Sequence, residues 1–278
     1  MCVNSSVQRV VLDTFSVVSS TASNKASSEV RPGASELVPP NHGGRVFTTE
    51  RRVSIDDCSP SGRMEFDAIA RFLQDVGNDD SDDAGFAALG FAWVARRALI
   101  DVRTSPKARE QLSLSTWCSG TGRRWAERRT SMTGAAGAAV EAVATWVHLE
   151  PSTGKPAPWG AEFAEVYLPA ADGRRVDARL RLPKAPERTD GCCSAPWSFR
   201  ATDSDAYGHV NNAAYLAVAE EFLQLDGPRT IEIEWRTPCH AGDALTVVVC
   251  EEEALLHLID DTTSEVRAVI STRSNATD

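Results

Sequence analysis

The sequence predicts an α+β protein assembled from two copies of one unit, each a run of strands with one long helix. Three observations predict it. Two segments carry apolar residues at helical spacing: Phe66, Ile69, Ala70, Leu73 and Val76 in one, and Tyr215, Val218, Ala219 and Phe222 in the other. Each segment follows a strand-like run and leads into about four more. Short matched stretches also recur in the same order in both halves, which points to a duplication.

Taken in order, residues 1–43 are rich in Ser, Val and Ala, poor in aromatics, and run into Pro39-Pro40 and Gly43-Gly44. That composition predicts a disordered tail, with a transit peptide as the alternative and no secretory signal. The N-terminal domain is expected over 44–150. It opens with a strand from Arg45 to Ile55, and Ser59-Pro60-Ser61-Gly62 then supplies helix-start signals. The helix is expected to end near Gly77-Asn78, leaving Asp79 to Asp83 as a solvated acidic loop. Strands follow over Phe91–Arg103, Gln111–Gly120, Arg123–Met132 and Ala139–Leu149. Residues 151–194 lose periodicity and gather Pro151, Pro156, Pro158, Pro169, Pro183 and Pro186, which reads as a connector with room for a short helix or strand. The C-terminal domain, 195–278, carries a strand over 197–201, a polar turn and a helix over about 212–225. Its further strands are Thr230–Thr237, Ala244–Cys250, Leu255–Ile259 and Val266–Thr272.

Composition narrows the function. A formal net charge of −10 argues against nucleic acid as the main partner. No apolar run approaches the roughly 18–20 residues that cross a bilayer as a helix. The seven cysteines form no CxxC pair and no regular framework. We therefore expect a reducing compartment, the cytoplasm, without disulfides and without a zinc site.

The chemistry concentrates where the second helix begins. Arg200-Ala-Thr-Asp-Ser-Asp205-Ala-Tyr-Gly208-His209-Val-Asn211-Asn212 places a carboxylate, a glycine and an imidazole beside unpaired helix-start amides, a setting suited to an oxyanion. The matching stretch in the first half is Asp57-Cys-Ser59-Pro-Ser-Gly62-Arg63, and Asp101-Val-Arg-Thr-Ser-Pro106 likewise matches Glu234-Trp-Arg-Thr-Pro238. Ser59 and Arg63 stand where the second copy has Asp205 and His209, so one copy kept a reactive pair and the other did not.

At these residues the sequence resembles the acyl-acyl carrier protein (acyl-ACP) thioesterases. The likeness covers about Arg45 to Thr272. It rests on Phe72-Leu-Gln-Asp-Val-Gly77, Trp93-Val94, Leu114-Ser-Thr-Trp-Cys118 and Ala144-Thr-Trp-Val-His148 in the first half. In the second it rests on Asp203-Ser-Asp-Ala-Tyr-Gly-His-Val-Asn-Asn212 with Tyr215, and on Glu234-Trp-Arg236 up to Cys239. The resemblance implies a double hotdog: two antiparallel sheets, each wrapped around one long helix. It also implies hydrolysis of an acyl thioester on carrier protein to free fatty acid, with no cofactor and no metal, by a monomer or homodimer. Asp205 then serves as nucleophile or general base and His209 as its partner. Gly208, Asn211, Asn212 and Cys239 are supporting candidates, with oxyanion stabilisation at the helix start after Gly208. Two positions depart from the plant pattern Asp-x-Asn-x-His and Glu-Cys: Tyr207 replaces the asparagine and Pro238 the glutamate.

Each residue also has a plainer reading. Asp205 can close an Asx-turn, Gly208 can serve the turn alone, and Asn211 and Asn212 can cap the helix. Cys239 can be inert packing, and His148 structural. The pairs Arg96-Arg97, Arg123-Arg124 and Arg128-Arg129 can dock an acidic carrier and its phosphopantetheine phosphate, or occupy ordinary strand positions. Trp93, Trp117, Trp125 and Trp146 fit core packing better than an acyl pocket. Two rival functions remain: a hotdog hydrolase of acyl-CoA or polyketide-like thioesters, and a non-catalytic acyl-carrier-binding protein.

Overall fold

Ten strands form one antiparallel sheet in the order β1-β3-β4-β5-β2-β7-β10-β9-β8-β6 in the computed structural model. The structure describes residues 37–275 apart from 42, 87–91, 187–190, 224 and 251–253. The predicted tail therefore lies outside the described residues up to 36. Val38 and Asn41, which fall inside the predicted tail of 1–43, are hydrogen-bonded to the folded chain, through Arg129 Nε (3.3 Å) and the Pro169 carbonyl (3.4 Å).

The N-terminal half contributes β1 (Phe47–Arg52), α1 (Phe66–Asp83), β2 (Ala92–Thr104), β3 (Gln111–Thr121), β4 (Trp125–Gly134) and β5 (Ala139–Leu149). The C-terminal half contributes β6 (Cys192–Trp197), α3 (Ala214–Phe222), β7 (Arg229–Trp235), β8 (Leu245–Cys250), β9 (Leu255–Asp260) and β10 (Val266–Ser274). Each half thus gives five strands and one helix. The two sets join where β2 pairs with β7, from Arg97↔Glu234 to Val102↔Arg229. Period-two alternation fixes which face is covered. Leu112 and Leu114 on β3, Ile231 and Ile233 on β7 and Leu256 and Leu258 on β9 all enter one continuous core. Helix α1 adds Phe66, Ala68, Ile69 and Val76 to that core, and α3 adds Tyr215, Leu216, Val218 and Ala219. The two helices touch each other. Among the described residues no helix is long and apolar enough to cross a membrane.

The connector holds a third helix, α2 (Ala161–Ala171), against β3. Beyond it, Thr121 exchanges backbone hydrogen bonds with Arg174 and Val176, and the amides of Arg181 and Leu182 donate to the buried Glu234 carboxylate. The connector is thereby tied to the strand that joins the halves.

Four expectations are corrected. Helix α1 starts at Phe66, because Ser59–Gly62 forms a turn with Gly62 at φ +82°. It also continues through the acidic run to Asp83. Asp80 lies one helical repeat beyond Val76 on the same face and is 1% exposed. It accepts from Arg45 Nε (2.7 Å), Arg128 Nη1 (2.6 Å) and Tyr167 OH (3.0 Å), so this aspartate is an interior anion with three donors. The strand expected over 197–201 runs instead from Cys192 to Trp197, since Arg200 folds back on Asp203 through its amide (2.8 Å) and guanidinium. Finally, a disulfide is present. Pairing of β6 with β8 sets Cys192 opposite Cys250, with Cα atoms 4.2 Å apart and sulfurs bonded at 2.03 Å. Spacing along the chain, 58 residues, could not reveal that register.

Removing the buried Asp80 carboxylate leaves the half-buried Arg128 guanidinium without its anion, and breaking a buried pair in this way costs up to about 3–5 kcal/mol. Asp80→Ala is expected to fall in that range by urea denaturation. Asp83→Ala, which removes an exposed partner of Arg45, is expected to cost less than about 1 kcal/mol.

Candidate active site

The turn between β6 and α3 is built by short-range hydrogen bonds. The Asp205 amide donates to the His209 carbonyl (2.8 Å), the Gly208 amide to the Asp205 carbonyl (3.0 Å), and the Asn211 amide to the Asp203 carbonyl (2.8 Å). Gly208 sits at φ +81°, a left-handed conformation that costs glycine little. The whole turn hangs from the segment after β7, because the Val210 amide donates to the Cys239 carbonyl (3.0 Å).

The first half repeats this architecture bond for bond. Ser59 N donates to the Arg63 carbonyl (2.9 Å), Gly62 N to the Ser59 carbonyl (2.8 Å), Glu65 N to the Asp57 carbonyl (2.9 Å) and Met64 N to the Pro106 carbonyl (2.8 Å). Ser59, Gly62 and Arg63 thus stand at the places of Asp205, Gly208 and His209. There the guanidinium of Arg63 is bidentate on Glu220 of α3 (3.0 and 2.7 Å).

In the second half, Asp205 is half-buried, and its Oδ1 accepts from the Tyr207 amide (2.9 Å). The Asx-turn is therefore real, and it leaves Oδ2 available. His209 is half-buried and faces His240, with ring centroids 5.4 Å apart. Burial pushes the His209 imidazole below its ordinary range, His240 lowers it further, and Asp205 partly opposes both. His209 is consequently neutral at pH 7. His240 Nδ1 is also 3.4 Å from the Gly208 carbonyl, which holds this second imidazole over the turn.

The remaining candidates separate clearly. Asn211 Oδ1 accepts from the Ala213 amide (2.8 Å) and from Gln74 Nε2 of α1 (2.9 Å), so Asn211 shapes the entry to α3. Helix α3 begins at Ala214, beyond an Asn211–Ala213 turn, rather than directly after Gly208. Among the described residues, the backbone amides of His209 and Asn212 have no acceptor. Cys239 is fully buried, and desolvation raises its thiol to about 11. A thiol so placed stays protonated at neutral pH; what it contributes is backbone, its amide donating to Tyr215 OH (2.9 Å) and its carbonyl accepting from Val210. Tyr207 is 77% exposed and points no side chain into the turn.

Sequence reasoning missed His240 and Gln74. The first follows Cys239 directly, and its proximity to His209 depends on the chain returning along β7. The second was legible in principle, because the offset that aligns Gly62 with Gly208 also aligns Gln74 with Glu220. Among the arginine pairs, Arg97, Arg128 and Arg129 are tied to Glu232, Asp80 and Glu141, whereas Arg123 and Arg124 are exposed. Three of the four tryptophans make packing or backbone contacts: Trp93 packs on Phe163 (5.0 Å), Trp117 lies under Arg129 (5.2 Å), and Trp125 Nε1 donates to the Val176 carbonyl (2.8 Å). His148 is buried, with Nδ1 3.0 Å from the Ala157 carbonyl. A cavity of about 200 Å³ lined by Arg97, Glu127, Arg174, Arg175, Asp177 and Arg181 lies under the connector and shares no residue with the turn.

Comparison with known proteins agrees with this arrangement. Residues 44–167 match the acyl-ACP thioesterase N-terminal domain, and residues 187–275 match the acyl-ACP thioesterase C-terminal domain. An uncharacterized protein of Mycobacterium tuberculosis is 27% identical over 76% of this chain and 85% of its own. The chloroplastic oleoyl-acyl carrier protein thioesterase of Coriandrum sativum is 24% identical over 76% of this chain and 62% of its own. The fold matches that of an acyl-ACP thioesterase from Bacteroides thetaiotaomicron, with a TM-score of 0.67 and 18% identity over 81% of this chain and 96% of that one. With both of its halves matched in order and its two hotdog units joined in one sheet, the chain belongs to the acyl-ACP thioesterase family of thioester hydrolases.

Proposed function

We propose that the Asp205–Asn212 turn is the active site, and that it releases a free fatty acid from acyl-acyl carrier protein. The observation that carries this reading is the contrast between two turns of the same geometry. One holds a carboxylate beside a neutral imidazole, and the other is closed by an arginine–glutamate pair. Asp205 Oδ2, free of the Asx-turn, takes the proton of an attacking water, or attacks the thioester carbonyl itself to expel the thiolate and leave a mixed anhydride that water then hydrolyses to free fatty acid and the regenerated carboxylate. Neutral His209 orients that water. The unpaired amides of His209 and Asn212, in the turn that precedes α3, receive the oxyanion, and on the water route the departing thiolate takes up the proton that the water gave to Asp205. Cys239 takes no chemical part, because its thiol is buried and protonated.

Carrier docking falls to the exposed cations. Arg123 and Arg124, with Arg175, Arg179 and Arg181 of the connector, are the exposed arginines suited to an acidic carrier or its phosphate. The proposed place of action is the cytoplasm; among the described residues Cys58, Cys118, Cys193 and Cys239 are free thiols, which fits that setting, whereas the Cys192–Cys250 disulfide is a feature that a reducing compartment does not favour.

The decisive assay follows thiol release from acyl-ACP and acyl-CoA of several chain lengths. Asp205→Ala is expected to lose at least about a hundredfold in kcat, the usual reach of a general base. A wild type that binds acyl-ACP and releases no thiol would make the protein a carrier-binding module instead; preference for acyl-CoA would change the carrier only.

The pH profile gives a second test. Because His209 works neutral and its pKa lies below the ordinary 6.5, kcat/KM should fall only as pH drops below that value. His240→Ala removes the neighbouring imidazole that disfavours charge on His209 and opens the site to water. Both effects raise the His209 pKa, so the acid limb should move to higher pH. A limb that stays in place assigns it to another group.

A further inference from the structure

The duplication supplies an internal comparison of an open site with a closed one. In the closed half, the amide at the start of α1, Phe66 N, donates to Glu220 Oε1 at 2.7 Å. Glu220 comes from α3, the helix of the other half, and also holds Arg63. A carboxylate therefore sits on a helix-start amide, where the oxyanion of a reacting carbonyl would sit in a working copy. The relation that carries Gly62 onto Gly208 carries Phe66 onto Asn212 and Gln74 onto Glu220. In the open half the counterpart of the blocking glutamate is thus a neutral glutamine, borne by α1. Its Nε2 donates to Asn211 Oδ1 at 2.9 Å, and the Asn212 amide has no acceptor among the described residues.

We propose that Gln74 is a positioning residue of the C-terminal site: it holds Asn211 at the helix entry while leaving the Asn212 amide open to the thioester oxyanion, and its lack of charge is what the site requires. Glu220 performs the opposite task in the other half, acting as a built-in anion that occupies the amide and cancels the charge of Arg63. Each helix therefore reaches across to the turn of the opposite half, and the active site is completed only by both halves together. The inference rests on the assignment of Asp205–Asn212 as the active site.

The test compares Gln74→Glu with Gln74→Met in the full chain, alongside Asp205→Ala, on acyl-ACP. Gln74→Glu changes one atom type and adds a charge that competes with the oxyanion for the amide. Its kcat should fall at least about a hundredfold, the effect of losing an oxyanion donor, with KM within a few-fold of wild type. Gln74→Met loses the bond to Asn211 without adding charge and should lose less than about tenfold. Equal losses in the two variants, or wild-type kcat in Gln74→Glu beside an inactive Asp205→Ala, would overturn the role of Gln74 alone. Full activity in Asp205→Ala would remove the site itself and the inference with it. A second measurement needs no variant. Titrating the wild type with fatty-acid carboxylates from octanoate to oleate should shift the Asn212 amide resonance downfield, and an unmoved resonance overturns the proposal.

Discussion

The pairing of β2 with β7 is the constraint on which the rest of the molecule depends. It turns two five-stranded units into one sheet and one core, with Ala98 and Ile100 directed inward from β2 and Ile231 and Ile233 from β7. On the same two strands, Arg97 is buried against Glu232, and Glu234 receives the amides of Arg181 and Leu182 and the guanidinium of Arg236 (2.9 Å). Burial raises the Glu234 carboxyl above its ordinary range, and these donors oppose that shift. Without this seam the connector loses its tie to Glu234, and α1 and α3 have no reason to lie side by side.

That side-by-side placement gives the duplication its chemical meaning. A helix in a hotdog unit fills its own sheet, yet here Gln74 and Glu220 each end at the turn of the other half. Two copies that fold as one object can diverge in a coupled way. At the place that corresponds to His209, Arg63 takes a carboxylate on α3 as its partner, and the bidentate pair is only 18% and 13% exposed. Such a pair gains geometry and specificity from its two parallel bonds. The closed turn keeps the backbone of an active site and uses it as a clasp between helices.

Much of this was legible in the sequence, and the failures have a common cause. The repeat, the order of elements and the Asp205–His209 turn are local patterns, written within a dozen residues. Asp80 was misread because a run of aspartates normally marks a solvated segment. Its position four residues after Val76 showed that it shares the helix's inner face, but Arg45, Arg128 and Tyr167, which make a buried anion tolerable, lie far away in sequence. Cys192 and Cys250 were likewise invisible as a pair, since only the β6–β8 register brings them together. His240 belongs to the same class: a residue after β7 that the fold returns to the turn after β6.

The departures from the plant motif are also clearer as physics than as pattern. Tyr207 occupies a turn position that uses only its amide, to hold Asp205 Oδ1, and the side chain stands in solvent. The second polar group near the imidazole comes instead from His240, one residue beyond the buried Cys239. Two imidazoles so close cannot both be charged without mutual repulsion, and burial already disfavours charge on His209. Burial and the neighbouring His240 therefore both disfavour charge on the His209 ring, and Asp205 partly opposes them. On the proposed reading, the first half is closed by a charge placed on an amide, and the second stays open because a charge is kept away from it.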